Sequence, residues 1–193
     1  IVERLTSERA NDLNYGMDNT KVLYYPHDMA YPPVHVLDRE ALSPADALAL
    51  PGIVPEGSVD LDMAEEKIEV EVGAVIVATG WEPYDAHRID NLGFGQYDNI
   101  VTNMMLERLA SKSGPTQGKI VRPSDDKAPE SVAFVQCAGS RDEKHLPYCS
   151  SECCAASLKQ VAAIHRDFPG VETAVIYRAL RAAGKLERFY LGR

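Results

Sequence analysis

The sequence contains no long hydrophobic run and no excess of basic residues. None of its apolar stretches approaches the roughly 20 residues that a membrane-spanning helix requires, so any link to a membrane is expected to pass through a partner. Lys and Arg number 20 against 29 Asp and Glu, which gives a net charge of -9. Because nucleic-acid-binding domains present a basic face, we expect no nucleic-acid partner.

Two sequence signals for other functions are also missing. The dinucleotide motif G-x-G-x-x-G is absent, and Gly93-Phe94-Gly95 lacks the third glycine and follows no clear strand, so autonomous NAD binding is not expected. The chain begins at Ile1 without an initiator methionine or targeting pattern and ends at Arg193 soon after a strand-like segment, so we interpret it as a segment of a larger protein. We expect a cytoplasmic location.

Cysteine is scarce, and its four copies are gathered in one place. Cys137, Cys149, Cys153 and Cys154 form the pattern C-x11-C-x3-C-C within eighteen residues. Thiolates gather where a soft cation or an iron-sulfur cluster must be met from several sides. If this segment is helical, Cys149 and Cys153 project from one face, and Cys154 is turned by roughly 100° about the axis. Two adjacent thiolates crowd a single ion, so the pattern favours an iron-sulfur cluster.

Other interpretations of the cysteines remain open. An even count permits a disulfide framework, although 193 residues can build a core without it. Zinc is a second alternative, with His145 as an additional ligand and a zinc-stabilised interaction module as the function. Four ordinary buried thiols are a third. A thiol-disulfide oxidoreductase would use Cys149 and Cys153, but C-x3-C is not the C-x-x-C of that chemistry.

The middle of the chain predicts two kinds of strand. Residues 59–72 alternate polar and apolar side chains, which indicates a half-buried hairpin. Residues 74–78 form a continuous apolar run typical of a buried parallel strand. The run ends at Ala78-Thr79-Gly80, where small residues allow the backbone to approach a dinucleotide closely. A core strand followed by a glycine turn is an equally good interpretation of these residues.

Helix signals occur in two further places. Ser43 and Pro44 suit the N-cap and first position of a short helix that continues to Ala49. Residues 99–111 show one apolar face, with Thr102 as the candidate N-cap. The polar residues 112–130 are expected to form a surface loop.

The last part of the chain predicts a βαβ unit. A buried-type strand over residues 131–136 delivers Cys137 at its carboxyl end, and a helix follows Cys149 and stops near residues 169–170. A third strand spans residues 173–177, so the two strands should be parallel. The corner that holds phosphate in a nucleotide-binding βαβ unit here bears cysteines, and a helix N-terminus also stabilises thiolates. The candidate caps of this helix are Ser150 and Ser151.

Several segments of the chain carry a resemblance to a known family, namely residues 14–17, 26–32, 72–81, 114–125, 135–142, 148–151 and 153–154. The segments that contain the cysteines are the most specific, and residues 34–58 are the weakest part of the resemblance. These segments resemble the heterodisulfide reductase A subunits, and most of all their relative in the quinone-interacting membrane-bound oxidoreductase complex of sulfate reducers.

The resemblance implies an α/β fold, Rossmann-like and similar to thioredoxin reductase, from a flavoprotein with two dinucleotide-binding domains. It implies FAD, with Ala78, Thr79 and Gly80 on the flavin side, and a [4Fe-4S] cluster ligated by Cys137, Cys149, Cys153 and Cys154. Arg141, near the cluster, would set its potential by charge or hydrogen bonding. The implied organisation is an irregular inserted segment (1–58), part of the FAD-binding domain (59–111), a connecting loop (112–130) and an incomplete second nucleotide-binding-like βαβ domain (131–193).

The implied function is electron transfer within an oxidoreductase complex. Electrons would pass between FAD, the cluster and other subunits of a heterodisulfide-reductase-like or quinone-interacting complex, with adenylylsulfate reductase as a further candidate partner in sulfate reduction. The sequence departs from the family because the FAD fingerprint and a ferredoxin-like C-x2-C are missing. We therefore expect the chain alone to be inactive and able to fold without its cofactors.

Overall fold

The protein divides into two compact units. In the computed structural model, residues 2–181 are described, and the chain separates into a first unit, Ile1–Trp81, and a second unit, Glu82–Arg193. The final part of the predicted second nucleotide-binding domain, residues 182–193, lies outside the described residues. No helix in the described part of the chain is both long and apolar enough to cross a membrane.

The first unit combines short antiparallel strands with one helix. Strand β1 (Glu8–Ala10) pairs with β2 (Asn19–Lys21), β3 (Leu23–Tyr24) pairs with β4 (Val36–Leu37), and helix α1 spans Pro44–Ile53. Residues 2–58 therefore contain four short strands that the sequence did not predict, besides the helix that it did, and the assignment of this segment as an insertion stays a prediction. Strands of two or three residues are too short for an alternating pattern to reveal them.

A buried carboxylate ties the start of the chain to helix α1. Asp46 is 5% exposed and accepts hydrogen bonds from the N–H and hydroxyl groups of both Thr6 and Ser7, the latter at 2.6 and 2.5 Å. The predicted cap is confirmed, because the Ser43 hydroxyl accepts from the Asp46 N–H at 3.2 Å. This polar cluster borders the first core, which consists of Leu5, Val22, Leu23 and Leu50.

Helix α1 and the residues after it differ from expectation. The helix continues to Ile53, beyond Ala49, with Pro51 inside its last turns. The hairpin predicted for residues 59–72 and the buried strand predicted for 74–78 are absent from the described first unit, where Ile76 is 90% exposed. An apolar run becomes a buried strand only when neighbouring strands satisfy its backbone, and none of the described strands pairs with this run.

The second unit contains the predicted βαβ arrangement. Helix α2 (Asn103–Ala110) is capped by the Thr102 hydroxyl, which accepts from the Met105 N–H as predicted. Strand β5 (Ser131–Val135) leads through residues 136–152 to helix α3 (Cys153–Asp167) and then to strand β6 (Glu172–Ile176). The two strands are parallel, with Ser131 opposite Glu172 and Val135 opposite Ile176. Residues 112–130 contain neither helix nor strand, as expected of a connecting loop.

The core of the second unit lies between its helices and its sheet. Leu106 of α2, Phe134 of β5 and Ile164 of α3 are buried together with Ile120 of the loop. The structure is thus mixed α/β, with three two-stranded sheets among residues 2–181. Many folds share one βαβ unit, so the Rossmann-like and thioredoxin-reductase-like architecture stays a prediction.

We expect the pH dependence of stability to reveal the role of Asp46. The hydrogen bonds from the Ser7 hydroxyl and N–H, with those from Thr6, lower the pKa of Asp46 to about 2. The folded pKa lies below the unfolded value of about 3.9, so the stabilisation is present above that value and is lost as the pH falls through about 2. Asp46→Asn should therefore lower the melting temperature at neutral pH and flatten its fall in acid.

Circular dichroism melting between neutral pH and about pH 2 is the measurement for this prediction. The exposed Asp62 provides the control, and Asp62→Asn should leave the acid profile unchanged. Parallel profiles for the wild type and Asp46→Asn would show that the Asp46 carboxylate does not link residues 6 and 7 to α1.

Candidate cofactor site at the start of helix α3

The four cysteines lie around the carboxyl end of β5 and the start of α3, and we call this region the cysteine corner. Cys137 follows β5 after one residue, Cys153 and Cys154 open α3, and Cys149 lies in the preceding loop. Parallel pairing places the carboxyl ends of β5 and β6 at the same edge of the sheet. Cys154 is 3% exposed, and the other three cysteines are partly exposed.

The thiols are free and do not form a preassembled site for a single ion. All four cysteines lack a disulfide partner in the described chain. Nowhere in residues 2–181 are three or more His, Cys, Asp or Glu side chains grouped as they would be around one metal ion. The predicted ligand set therefore stays a prediction, supported by the common location of its members.

The local environment separates the acidities of the thiols. The backbone N–H of Ser151 lowers the pKa of Cys149, with smaller contributions from the Ser151 hydroxyl and from the positive charges of Arg181 and then Arg141. Burial raises the pKa of Cys154, the backbone N–H of Arg181 partly offsets this, and the nearby thiols of Cys153 and Cys137 raise it further. At neutral pH the partly exposed Cys149 is therefore the better nucleophile and metal ligand of the two.

The start of helix α3 differs from the predicted serine cap. The helix begins at Cys153, and the preceding residue, Glu152, makes no side-chain capping bond among the described residues. Ser150 instead donates its hydroxyl to the Cys153 Sγ at 3.8 Å, while Ser151 has a left-handed backbone with φ of 64°. The first-turn N–H groups of α3 thus lack a side-chain acceptor from Glu152, and their positive end faces the cysteine corner.

Arg141 provides positive charge beside the cysteine corner. Its backbone N–H donates to the Tyr148 carbonyl at 3.0 Å, and its carbonyl accepts from Arg178 Nη1 at 2.9 Å. The Arg141 Nη1 atom is buried without a hydrogen-bond partner among residues 2–181. A buried guanidinium nitrogen normally has an acceptor, so this atom suits an anionic group.

The loop between Cys137 and Cys149 rests on residues that the sequence did not single out. Tyr84 Oη and His145 Nδ1 share a hydrogen bond of 2.7 Å. A Cβ atom at Gly139 would lie 2.8 Å from the Tyr84 ring, so the close packing there requires glycine. Tyr84 and His145 are 61 positions apart, so no local sequence pattern links them. Because this contact occupies Nδ1, only Nε2 of His145 remains for the zinc alternative.

The predicted flavin-side residues lie in the first unit. Ala78, Thr79 and Gly80 are exposed and belong to neither a helix nor a strand. Gly80 has φ of 69°, and nothing lies within 4 Å of the position that its Cβ would occupy. This backbone is accessible to a ligand, and its contact with FAD stays a prediction.

Comparison with known proteins defines the class to which this α/β chain is related. No known protein-family profile matches it. It is 38% identical to the A subunit of the ferredoxin:CoB-CoM heterodisulfide reductase of Methanosarcina mazei, over 96% of this chain and 23% of that protein. It is 38% identical to the A subunit of the H2:CoB-CoM heterodisulfide,ferredoxin reductase of Methanothermobacter thermautotrophicus, over 98% and 29%. It is 37% identical to the first iron-sulfur A subunit of the CoB-CoM heterodisulfide reductase of Methanopyrus kandleri, over 95% and 28%.

These relatives are subunits of oxidoreductases, and the chain spans about a quarter of their length. The chain is homologous, over nearly all of its own length, to a segment of the heterodisulfide reductase A subunits. The family resemblance seen in the sequence is therefore confirmed.

The unequal thiol acidities predict an order of chemical labelling. Iodoacetamide should alkylate Cys149 first and Cys154 last in the native, cofactor-free chain, because the pKa of Cys149 is lowered and that of Cys154 is raised. Peptide mass spectrometry of samples quenched over time provides the rates.

Substitutions of charged residues test the electrostatic part of this order. Arg181→Gln and Arg141→Gln should each slow the labelling of Cys149, because both positive charges lower its pKa. Lys144→Gln, at an exposed position in the loop before Cys149, should not. Equal rates for Cys149 and Cys154 in the wild type would show that the described environment does not set the acidities of these thiols.

Proposed function

We propose that this chain is the cysteine-bearing part of an electron-transfer subunit, in which Cys137, Cys149, Cys153 and Cys154 ligate a [4Fe-4S] cluster. The observation that carries the proposal is the location of four free thiols at one corner of a βαβ unit. The name of the Methanopyrus kandleri relative, an iron-sulfur subunit, supports it.

The chemistry of the donor set fits the proposed group. Soft thiolates are the usual ligands of iron-sulfur clusters. A cluster with four thiolates is anionic. The Arg141 Nη1 atom, which has no partner within residues 2–181, and the start of α3 offer positive charge and N–H donors beside it. When bound, such a cluster accepts and releases single electrons. Arg141 would then hold the potential higher than a neutral residue would, because positive charge favours the reduced, more negative state.

Ala78, Thr79 and Gly80 are the proposed contacts of FAD. Their exposed backbone supports close approach by a ligand. The anion-binding turn and helix N-terminus that usually hold a pyrophosphate are not recognisable beside them in the sequence. We infer that residues 78–80 supply one side of a flavin site that other parts of a larger protein complete.

The proposed partners are the other subunits of a heterodisulfide-reductase-like complex. The relatives are named as A subunits of such reductases, which supports an assembly with further chains. We place this protein in the cytoplasm, in the quinone-interacting branch of the family, with adenylylsulfate reductase as the electron-exchange partner in sulfate reduction. Contact with the membrane would then pass through a partner subunit.

A thiol-disulfide oxidoreductase is the second candidate function. The lowered pKa of Cys149 favours it, because a thiolate is the attacking species in disulfide exchange. The two functions differ in iron and sulfide content.

Anaerobic reconstitution should give about four iron and four sulfide atoms per chain, because four thiolates match one [4Fe-4S] cluster. Metal and acid-labile sulfide analysis, together with the visible absorption spectrum, provides the measurement. Stoichiometric zinc without sulfide, in protein kept free of oxygen, would contradict the proposal and support a zinc-stabilised module.

Cysteine variants test the ligand set within the same experiment. Cys154→Ser should damage the cluster as severely as Cys149→Ser, although Cys154 is buried and Cys149 is not. Thr102→Ala is the control, since it removes the cap of α2, costs about 1 kcal/mol of stability and leaves the thiols intact. An unchanged cluster in Cys154→Ser would assign the fourth ligand to another residue, with His145 as the next candidate.

Calorimetric titration should show that the 193-residue chain alone binds FAD weakly or not at all. The reason is that residues 78–80 provide only one side of the proposed site. A Gly80→Ala variant should strain a backbone that has φ of 69° and should weaken any residual binding. Submicromolar affinity of the wild-type chain would mean that a complete flavin site is already present.

A further inference from the structure

Gln136 is a buried polar residue at a position where the strand pattern calls for an apolar one. The alternate residues Val132 and Phe134 of β5 pack into the core beneath α3, and Gln136 is the next residue on that face. It is 8% exposed, and its Oε1 atom is buried without a hydrogen-bond partner in the described chain. An unsatisfied buried amide oxygen destabilises the fold, so stability alone does not account for glutamine here.

Gln136 is fixed to both elements that carry the cysteine corner. Its backbone N–H donates to the Ile176 carbonyl at 2.8 Å, which extends the β5–β6 pairing by one residue. Its side-chain Nε2 donates to Ser157 Oγ on α3 at 2.6 Å, and Ser157 is only 4% exposed. The same residue therefore holds the end of the sheet and the first half of the helix.

The two ends of this side-chain bond lie beside the cysteines. Cys137 is the residue after Gln136 and leaves the strand with a left-handed φ of 59°. Cys153 lies four residues before Ser157, so the two share one face of α3. Any change in the Gln136–Ser157 separation thus moves Cys137 relative to Cys153 and Cys154.

We propose that Gln136 and Ser157 form a positioning pair that sets the separation between Cys137 and the cysteines of α3. The inference rests on the proposed function in one respect, namely that Cys137 and the cysteines of α3 ligate the same cluster. Neither residue ligates the cluster. The pair acts by fixing the distance between the end of β5 and helix α3 before the cofactor binds. The thiols therefore need little rearrangement on binding.

The chain contains a matched control residue in Gln160. It also lies on α3, is 4% exposed, and has a buried Oε1 without a partner within residues 2–181. Its Nε2 donates to the Asn103 carbonyl and to Glu107 Oε1, both at 2.9 Å, and so links α3 to α2 away from β5. A purely structural role of buried glutamines predicts equal effects of Gln136→Met and Gln160→Met.

Chemical cross-linking of the cofactor-free full chain tests the positioning directly. In a background with Cys149→Ser and Cys154→Ala, a short bifunctional thiol reagent can join only Cys137 and Cys153. We expect Gln136→Met to slow the formation of this cross-link about fivefold. Loss of one ordinary hydrogen bond lowers the population of the conformation that it stabilises by about this factor. Ser157→Ala should do the same, and Gln160→Met should leave the rate unchanged.

The four-cysteine chain provides a second measurement, after anaerobic reconstitution. Gln136→Met and Ser157→Ala should shift the reduction potential of the cluster and hasten iron loss to a chelator, and Gln160→Met should do neither. Circular dichroism melting verifies that each variant is folded. If Gln136→Met does not fold, Ser157→Ala alone tests the positioning pair.

The two proposals fail in different ways. A wild-type chain that takes up no iron and sulfide overturns the cluster, while the cross-linking rates still decide whether the pair positions the thiols. Equal cross-linking rates in Gln136→Met, Ser157→Ala and the parent background overturn the positioning pair, whatever the iron content.

Discussion

The parallel pairing of β5 with β6 is the constraint on which the second unit depends. Parallel strands cannot be joined by a tight turn, so the chain must cross over the sheet, and α3 makes that crossing. The helix can cover the sheet because Ile164 and Phe134 meet in one core. Its start is consequently brought back toward the end of β5, and residues distant in sequence become neighbours. The location of the cysteines follows from this topology before any contact between thiols is considered.

Within the cysteine corner, short-range contacts give similar side chains different chemistry. Cys149 and Cys154 are five positions apart, yet a backbone N–H lowers the pKa of one and burial raises that of the other. The Arg141 Nη1 atom and the N–H groups at the start of α3, which have no side-chain acceptor among residues 2–181, add positive potential there. The corner is thus polarised by its own backbone and guanidinium group, and this polarisation favours negative charge at Cys149.

The sequence predicted structure well where one segment carries its own signal. Thr102 and Ser43 were recognised as helix caps because hydroxyl residues precede an apolar pattern, and the βαβ unit followed from two apolar runs around a helix. The prediction of a buried strand at residues 74–78 was wrong. Burial depends on pairing with neighbouring strands, and the sequence of the apolar run alone does not indicate whether they are present. The contacts of Tyr84 with His145 and of Gln136 with Ser157 join residues far apart in the sequence. No periodic pattern of residues predicts such contacts, so the sequence did not show them. For the candidate site, the sequence shows that the cysteines are close along the chain, and their contacts with other residues depend on the fold. The ligand set itself stays a prediction.

Three residues around the cysteines, Cys137, Arg141 and Ser151, have positive φ values between 59° and 64°. Each L-residue in this conformation costs about 1 kcal/mol relative to glycine. Glycine at these three positions would relieve the backbone but would remove a thiol, a guanidinium group and a hydroxyl from the same short stretch of chain. The functional groups around α3 are therefore held at a cost in backbone conformation.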